Sequence, residues 1–342
     1  MAPPTPHHSP AAPASLLARA FGRRPTQTPL APTGLAQALR AAIALGDDER
    51  ARSLLAHGAC PFARPVQVLG SAFSEAAAQG RADWLRTFAR VGLGASQADL
   101  DAALSRAVEA SRADTVAPLV ELGADVELRA LGSGCNALEI ALAMSGNRAV
   151  VDALLSAGAN ANGIDPTRRE IPLGIAARGN ALAFIDALLQ AGADPNARGL
   201  GGLSPLDTAA GENHPEIAAR LIAAGAQVQA RDGRGFAPLH TAAMAGAGET
   251  VDTLLAAGAS PSLLDGQGRT AGQLLLERLE ATPPKGPQVK RLASLARRLI
   301  ALAEREALAS VVQIETASPA LALAAANPAP AVSGAARKSH RL

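Results

Sequence analysis

The sequence predicts an all-α solenoid of stacked helix-turn-helix units joined by short hairpin-type turns. Two observations carry this reading. A Leu-Leu-x-x-Gly-Ala segment recurs at a nearly constant spacing, and the chain is rich in apolar residues yet almost devoid of aromatic ones. Hydrophobic residues make up 48% of the 342, aromatics only 2%, with one Trp, six Phe and no Tyr. A core of Ala and Leu suits helices packed closely on helices, whereas sheets favour β-branched and aromatic side chains.

The recurring segment reads LLAHGA (54–59), LLSAGA (154–159), LLQAGA (188–193) and LLAAGA (254–259), with variants LVELGA (119–124) and LIAAGA (221–226) and a weaker copy ending at Gly92. Its glycines are Gly58, Gly92, Gly123, Gly158, Gly192, Gly225 and Gly258, separated by 34, 31, 35, 34, 33 and 33 residues. A second landmark, Leu39, Phe73, Leu104, Leu138, Leu173, Leu206 and Leu239, precedes each glycine by 19 or 20 residues. Fixed period and fixed phase together are the mark of a repeat architecture.

Each element of the unit has a physical reason. In APLHTAA (237–243), Pro238 opens a helix at a position whose N–H would be unpaired anyway. Ala242 and Ala243 allow a neighbouring helix to approach closely. Gly246, with Asn213 and Asn180 in sister units, ends that helix where a left-handed residue is needed. The second helix carries Val251, Leu254 and Leu255 on one face, and Gly258 stops it.

The units GLSPLDTAAGENHPEIAARLIAAGA (202–226) and GFAPLHTAAMAGAGETVDTLLAAGA (235–259) resemble the ankyrin repeat. The resemblance covers about residues 34–306: seven full copies and a degenerate eighth, in which Arg269-Thr270-Ala271-Gly272-Gln273-Leu274 replaces the usual turn. A stack has to close with a polar outer face, so terminal units depart from the pattern. Residues 288–306 read as the lid, an amphipathic helix with Val289, Leu292, Leu295, Leu299, Ile300 and Leu302 facing one way. The flanking segments, 1–33 with eight prolines and no acid and 307–342 rich in Ala and Pro, are expected to be disordered tails.

Chemistry is sparse. Two cysteines, Cys60 and Cys135, give neither a disulfide framework nor a metal site, and His57 beside Cys60 lacks the further ligands zinc needs. No nucleophile, base and orienting group fall together, so no catalytic residue, cofactor or metal is assigned. The resemblance implies that His240 makes structural hydrogen bonds to a neighbouring turn. The chain carries +2, of which residues 1–33 supply +3 and residues 307–342 supply +2, leaving −3 on the array. That balance argues against nucleic acid. No run of apolar residues is long enough to span a membrane, and a soluble, cytoplasmic monomer is expected.

Six residues after the closing glycine stand Arg64, Arg129, Arg198 and Arg231, in register at the hairpin tips. A basic residue there is common in the family, where it serves solubility. Tips are also where such stacks meet partners, and Arg is enriched at interfaces, so these four are the candidate partner-binding residues. The inner-helix positions Arg40, Ser74, Glu139 and Asp207 are the next candidates. The resemblance implies a non-catalytic scaffold that grips a protein partner through its concave face and tips. The alternative is a secreted bacterial effector or regulator whose acid-free N-terminus, with the basic Leu16–Arg24 stretch, is an export signal.

Overall fold

A computed structural model describes residues 32–63, 70–90, 95–129, 134–164, 170–281 and 288–326. Its helices fall into eight consecutive pairs, inner helix then outer helix. They are α1 (Pro32–Leu45) with α2 (Asp48–Ala56), α3 (Ala72–Ala78) with α4 (Ala82–Arg90), and α5 (Gln97–Glu109) with α6 (Val116–Glu121). Next come α7 (Ala137–Ile140) with α8 (Arg148–Ser156), α9 (Pro172–Arg178) with α10 (Leu182–Gln190), and α11 (Pro205–Gly211) with α12 (Pro215–Ala223). The stack finishes with α13 (Pro238–Ala245) and α14 (Gly248–Ala256), then α15 (Ala271–Ala281) and α16 (Gln288–Ala326). No strand occurs among the described residues, and inner helices pack on inner helices while outer helices pack on outer ones.

The landmarks do what their chemistry requires. Asn180, Asn213 and Gly246 adopt left-handed backbone at the turn between paired helices (φ 52°, 57° and 74°), as Gly258 does after the outer helix (φ 89°). Leu39, Phe73, Leu104, Leu138, Leu173, Leu206 and Leu239 all sit in one continuous core with the paired alanines. Leu188 is fully buried between layers, and Leu188→Ala is expected to cost about 2–4 kcal/mol in urea unfolding, through lost transfer energy and a residual cavity.

Repeat four is one residue longer between its landmark leucine and its left-handed glycine: Leu138 to Gly146, against Leu206 to Asn213. The extra residue is absorbed in a π-helical turn, Ala141–Ser145, that continues α7 and leaves Met144 exposed. The 35-residue glycine spacing of that repeat was the trace of this insertion.

Between repeats, side-chain amides join successive hairpins. Asn162 Nδ2 donates to the Gly192 carbonyl (3.0 Å) while its Oδ1 accepts from Asp194 N–H (2.7 Å). One unit later Asn196 makes the same pair with Gly225 (3.0 Å) and Gln227 (2.8 Å). Each clamp satisfies one carbonyl that the end of an outer helix leaves unpaired.

The lid is present. Leu295, Ala296, Leu299 and Ala303 of α16 are buried, and Gly272 of α15 lies so close to it that an added Cβ would stand 2.8 Å from the Ile300 nitrogen. Glu306 ends the hairpin ladder, accepting from Ser260 Oγ (2.8 Å) and Ser262 N–H (3.1 Å). One expectation changes: α16 does not stop at 306 but runs to Ala326, into the segment read as a disordered tail. Alanine-rich sequence has high helix propensity, which the reading of 307–342 by composition alone undervalued. Residues 1–31, with the basic Leu16–Arg24 stretch, and 327–342 lie outside the described residues.

Candidate interaction surface

The four arginines of the sequence ladder do not share one environment. Arg64 lies outside the described residues. Arg129 folds back into its own repeat: Nη1 donates to Glu139 Oε2 (3.0 Å), Nη2 to Glu139 Oε1 (3.1 Å), and the same two nitrogens reach the carbonyls of Gly134 (2.8 Å) and Ile164 (3.2 Å). Glu139 is buried, so this forked pair is a structural device that neutralises a carboxylate in the core. Arg129, named above as a candidate partner-binding residue, is thus turned into the stack. Arg198 is exposed, although its Nη1 spans the carbonyls of Gly202 (2.7 Å) and Arg231 (2.8 Å), tying two hairpins together. Arg231 is exposed.

The reserve positions are also corrected. Ser74, Glu139 and Asp207 are buried, and each is the third residue of its inner helix in a capping box, closed by Ser71, Asn136 and Ser204 respectively. The side chain accepts the cap's own backbone N–H while the cap side chain accepts the third residue's. Arg40 is half-buried in an ion pair with Glu75 (2.9 Å). None of the four presents a free functional group to a partner.

His240 occupies the same third position. Its Nδ1 accepts from Ala237 N–H (3.3 Å), which leaves Nε2–H to donate to the Arg269 carbonyl of the next hairpin (3.3 Å). Burial holds its pKa below the ordinary histidine value, in keeping with this neutral tautomer. The structural role expected of His240 is what the geometry shows. His214 and His57 are likewise tied to backbone carbonyls, of Ala177 (2.9 Å) and Ser53 (2.7 Å). Among the described residues no group of three or more His, Cys, Asp or Glu gathers as a metal site would.

The tips carry something the arginine count overlooked. Leu128, Ile164, Leu200 and Leu264 are 45%, 53%, 60% and 46% exposed, each on a different inter-repeat hairpin. Ile164 and Leu264 stand six residues after their glycine, the arginine position itself, and Leu128 and Leu200 lie one residue before and two after it. Aliphatic side chains recur here although the hairpins are the most solvated part of the stack. The signal was available in the sequence as an aliphatic residue inside an otherwise polar turn.

Eight stacked helix pairs, with a row of aliphatic and basic side chains along their hairpins and no gathered catalytic constellation among the described residues, define a helical repeat module. Residues 173–265, from the fifth inner helix to the last hairpin, match the family model for ankyrin repeats in three copies. That segment consists of ankyrin repeats. Repeats of this kind are generally protein–protein interaction modules and typically non-catalytic. The comparison with curated proteins finds no match to the chain. No helix among the described residues is long and apolar enough to cross a membrane.

Proposed function

We propose that the array is a non-catalytic scaffold that binds a protein partner through its hairpin tips and the concave side of its inner helices. The row of exposed aliphatic side chains carries this reading. Four successive or near-successive tips each leave a Leu or Ile about half exposed, where a turn built for solubility alone would be polar. Arg198 and Arg231 stand within the row and add positive charge to an array whose net charge is negative. A partner that lays apolar side chains on the tips and brings acidic groups to their edge fits this surface.

The test is capture of partners by the full chain from its native cells, followed by mass spectrometry, against the variant Leu200→Ser with Leu264→Ser. These side chains are solvated already, so the fold is expected to persist with unchanged circular dichroism. The captured partner is expected to fall at least tenfold, because apolar anchors at the centre of an interface dominate its energy. Full retention of every captured protein would remove the tips from the binding surface. Arg231→Glu in the same assay should weaken capture mainly at low salt, since a rim charge acts on association rate.

A further inference from the structure

Asp207 differs from every other residue at the third position of an inner helix. It is 1% exposed. Its Oδ2 accepts from Ser204 N–H (2.9 Å) and Ser204 Oγ–H (2.7 Å), but its Oδ1 is buried with no hydrogen-bond partner. In repeat four the equivalent Glu139 is met by Arg129, and in repeat seven the equivalent His240 donates to the Arg269 carbonyl. Repeat six has the arginine, Arg198, at the place of Arg129. Aspartate is one methylene shorter than glutamate, and the Arg198 guanidinium goes to backbone carbonyls instead.

The charged groups on the elements around the first turn of α11 do not repair this. On its own hairpin Arg198 lowers the pKa of the carboxyl only from a distance. On α9 the matching position is Gly174, which has no side chain, and Arg178 is paired with Glu170. On the next hairpin Asp232 is a second buried carboxylate, held by the Arg234 and Phe236 N–H groups (both 2.8 Å) and by the Arg234 guanidinium, while Arg231 is exposed. On α13 the titratable group is His240, hydrogen-bonded in its neutral form.

We propose that the joint between repeats six and seven is a proton-binding site, in which the Asp207 carboxyl takes up one proton from solvent on its orphaned oxygen under mildly acidic conditions and the stack tightens as it does. The proton removes a buried charge and supplies the donor that this oxygen lacks. By register, the Phe236 carbonyl stands where the Arg269 carbonyl serves His240. Burial, aided by Asp232, raises the pKa of Asp207 from 3.8 to about 6. A folded-state pKa above the unfolded one contributes stability that is complete below about pH 4 and is lost as pH rises through about 6. His240 acts in the opposite sense, since its depressed pKa costs stability as pH falls below the ordinary histidine value, and this cancels when two proteins that both contain it are compared.

The test uses the full chain. The wild-type Asp207 carboxyl 13C resonance, assigned through its coupling to the Asp207 amide, should titrate with a midpoint near 6. Hydrogen-exchange opening constants for amides of α11 and α13 should fall by about tenfold from pH 7 to pH 5 in the wild type relative to Asp207→Asn, the ratio expected for a carboxyl whose pKa rises from 3.8 to about 6 on folding. In Asp207→Glu the added methylene should let the carboxylate meet Arg198 as Glu139 meets Arg129, lowering the midpoint. A wild-type midpoint near 4, or an opening ratio flat between pH 5 and 7, overturns the proposal. The wild-type titration decides the matter alone if Asp207→Asn does not fold.

Discussion

Arg129→Glu is expected to unfold the middle of the array, with a loss of about 4–5 kcal/mol in denaturant unfolding. The wild-type guanidinium makes two bonds to a carboxylate that is buried and held at the head of α7. Breaking a buried pair from one side leaves an uncompensated charge in the core, which costs about 3–5 kcal/mol, and a second carboxylate in its place adds repulsion. The bonds from Arg129 to the Gly134 and Ile164 carbonyls disappear too, loosening the hairpins on both sides. Arg231→Glu, at the same ladder position but exposed, should shift stability by less than about 0.5 kcal/mol. The contrast separates a structural arginine from a surface one at equal register, and equal stability losses would show that the Arg129–Glu139 fork carries no weight.

Removal of the lid should have a comparable effect by a different route. Deleting 288–342 uncovers the face of α15 that α16 packs on, together with the close contact at Gly272, and strips Ser260 and Ser262 of the carboxylate that closes the hairpin ladder. Leu295 and Leu299 alone stand for about 3–6 kcal/mol of apolar burial. In a one-dimensional stack the loss falls first on the terminal repeat and then propagates inward. Deleting only 307–342 keeps Glu306 and the buried Leu295, Ala296, Leu299 and Ala303, and it should melt within a few degrees of the full chain. Thermal melts followed by circular dichroism distinguish the two, and identical midpoints would contradict the assignment of 288–306 as the cap.

The architecture was legible because its signals are redundant. Each of the first seven repeats announces itself three times, by the landmark Leu or Phe, the left-handed turn residue (Gly, Asn or, once, Ser111), and the Leu-Leu-x-x-Gly-Ala stop or its variant, so the weakness of one, as at Gly92, does not break the phase. The lid was legible because Leu292, Leu295 and Leu299 keep helical spacing. The candidate site was less so. Sequence register placed Arg129, Arg198 and Arg231 side by side, but whether an arginine points outward depends on what stands nine or ten residues later: Glu139 is long enough to draw Arg129 inward, whereas Asp207 does not reach Arg198. The capping boxes of Ser74, Glu139 and Asp207 hid for the same reason. A polar residue at the third position of an inner helix looks solvent-facing until the cap that it bonds is known. The Asn162 and Asn196 clamps were missed although Asn stands four residues after Gly158 and Gly192, because their partners lie one repeat away.

The central claim, that a protein partner binds along the hairpin tips, is tested most directly by hydrogen-exchange footprinting of the full chain with its captured partner. Slowed exchange is expected in the segments 125–129, 160–164, 195–203, 227–236 and 260–268, which carry Leu128, Ile164, Leu200, Leu264, Arg198 and Arg231, with outer helices α10, α12 and α14 unchanged. Protection confined to those outer helices, with the hairpins exchanging as in the unbound chain, would contradict it.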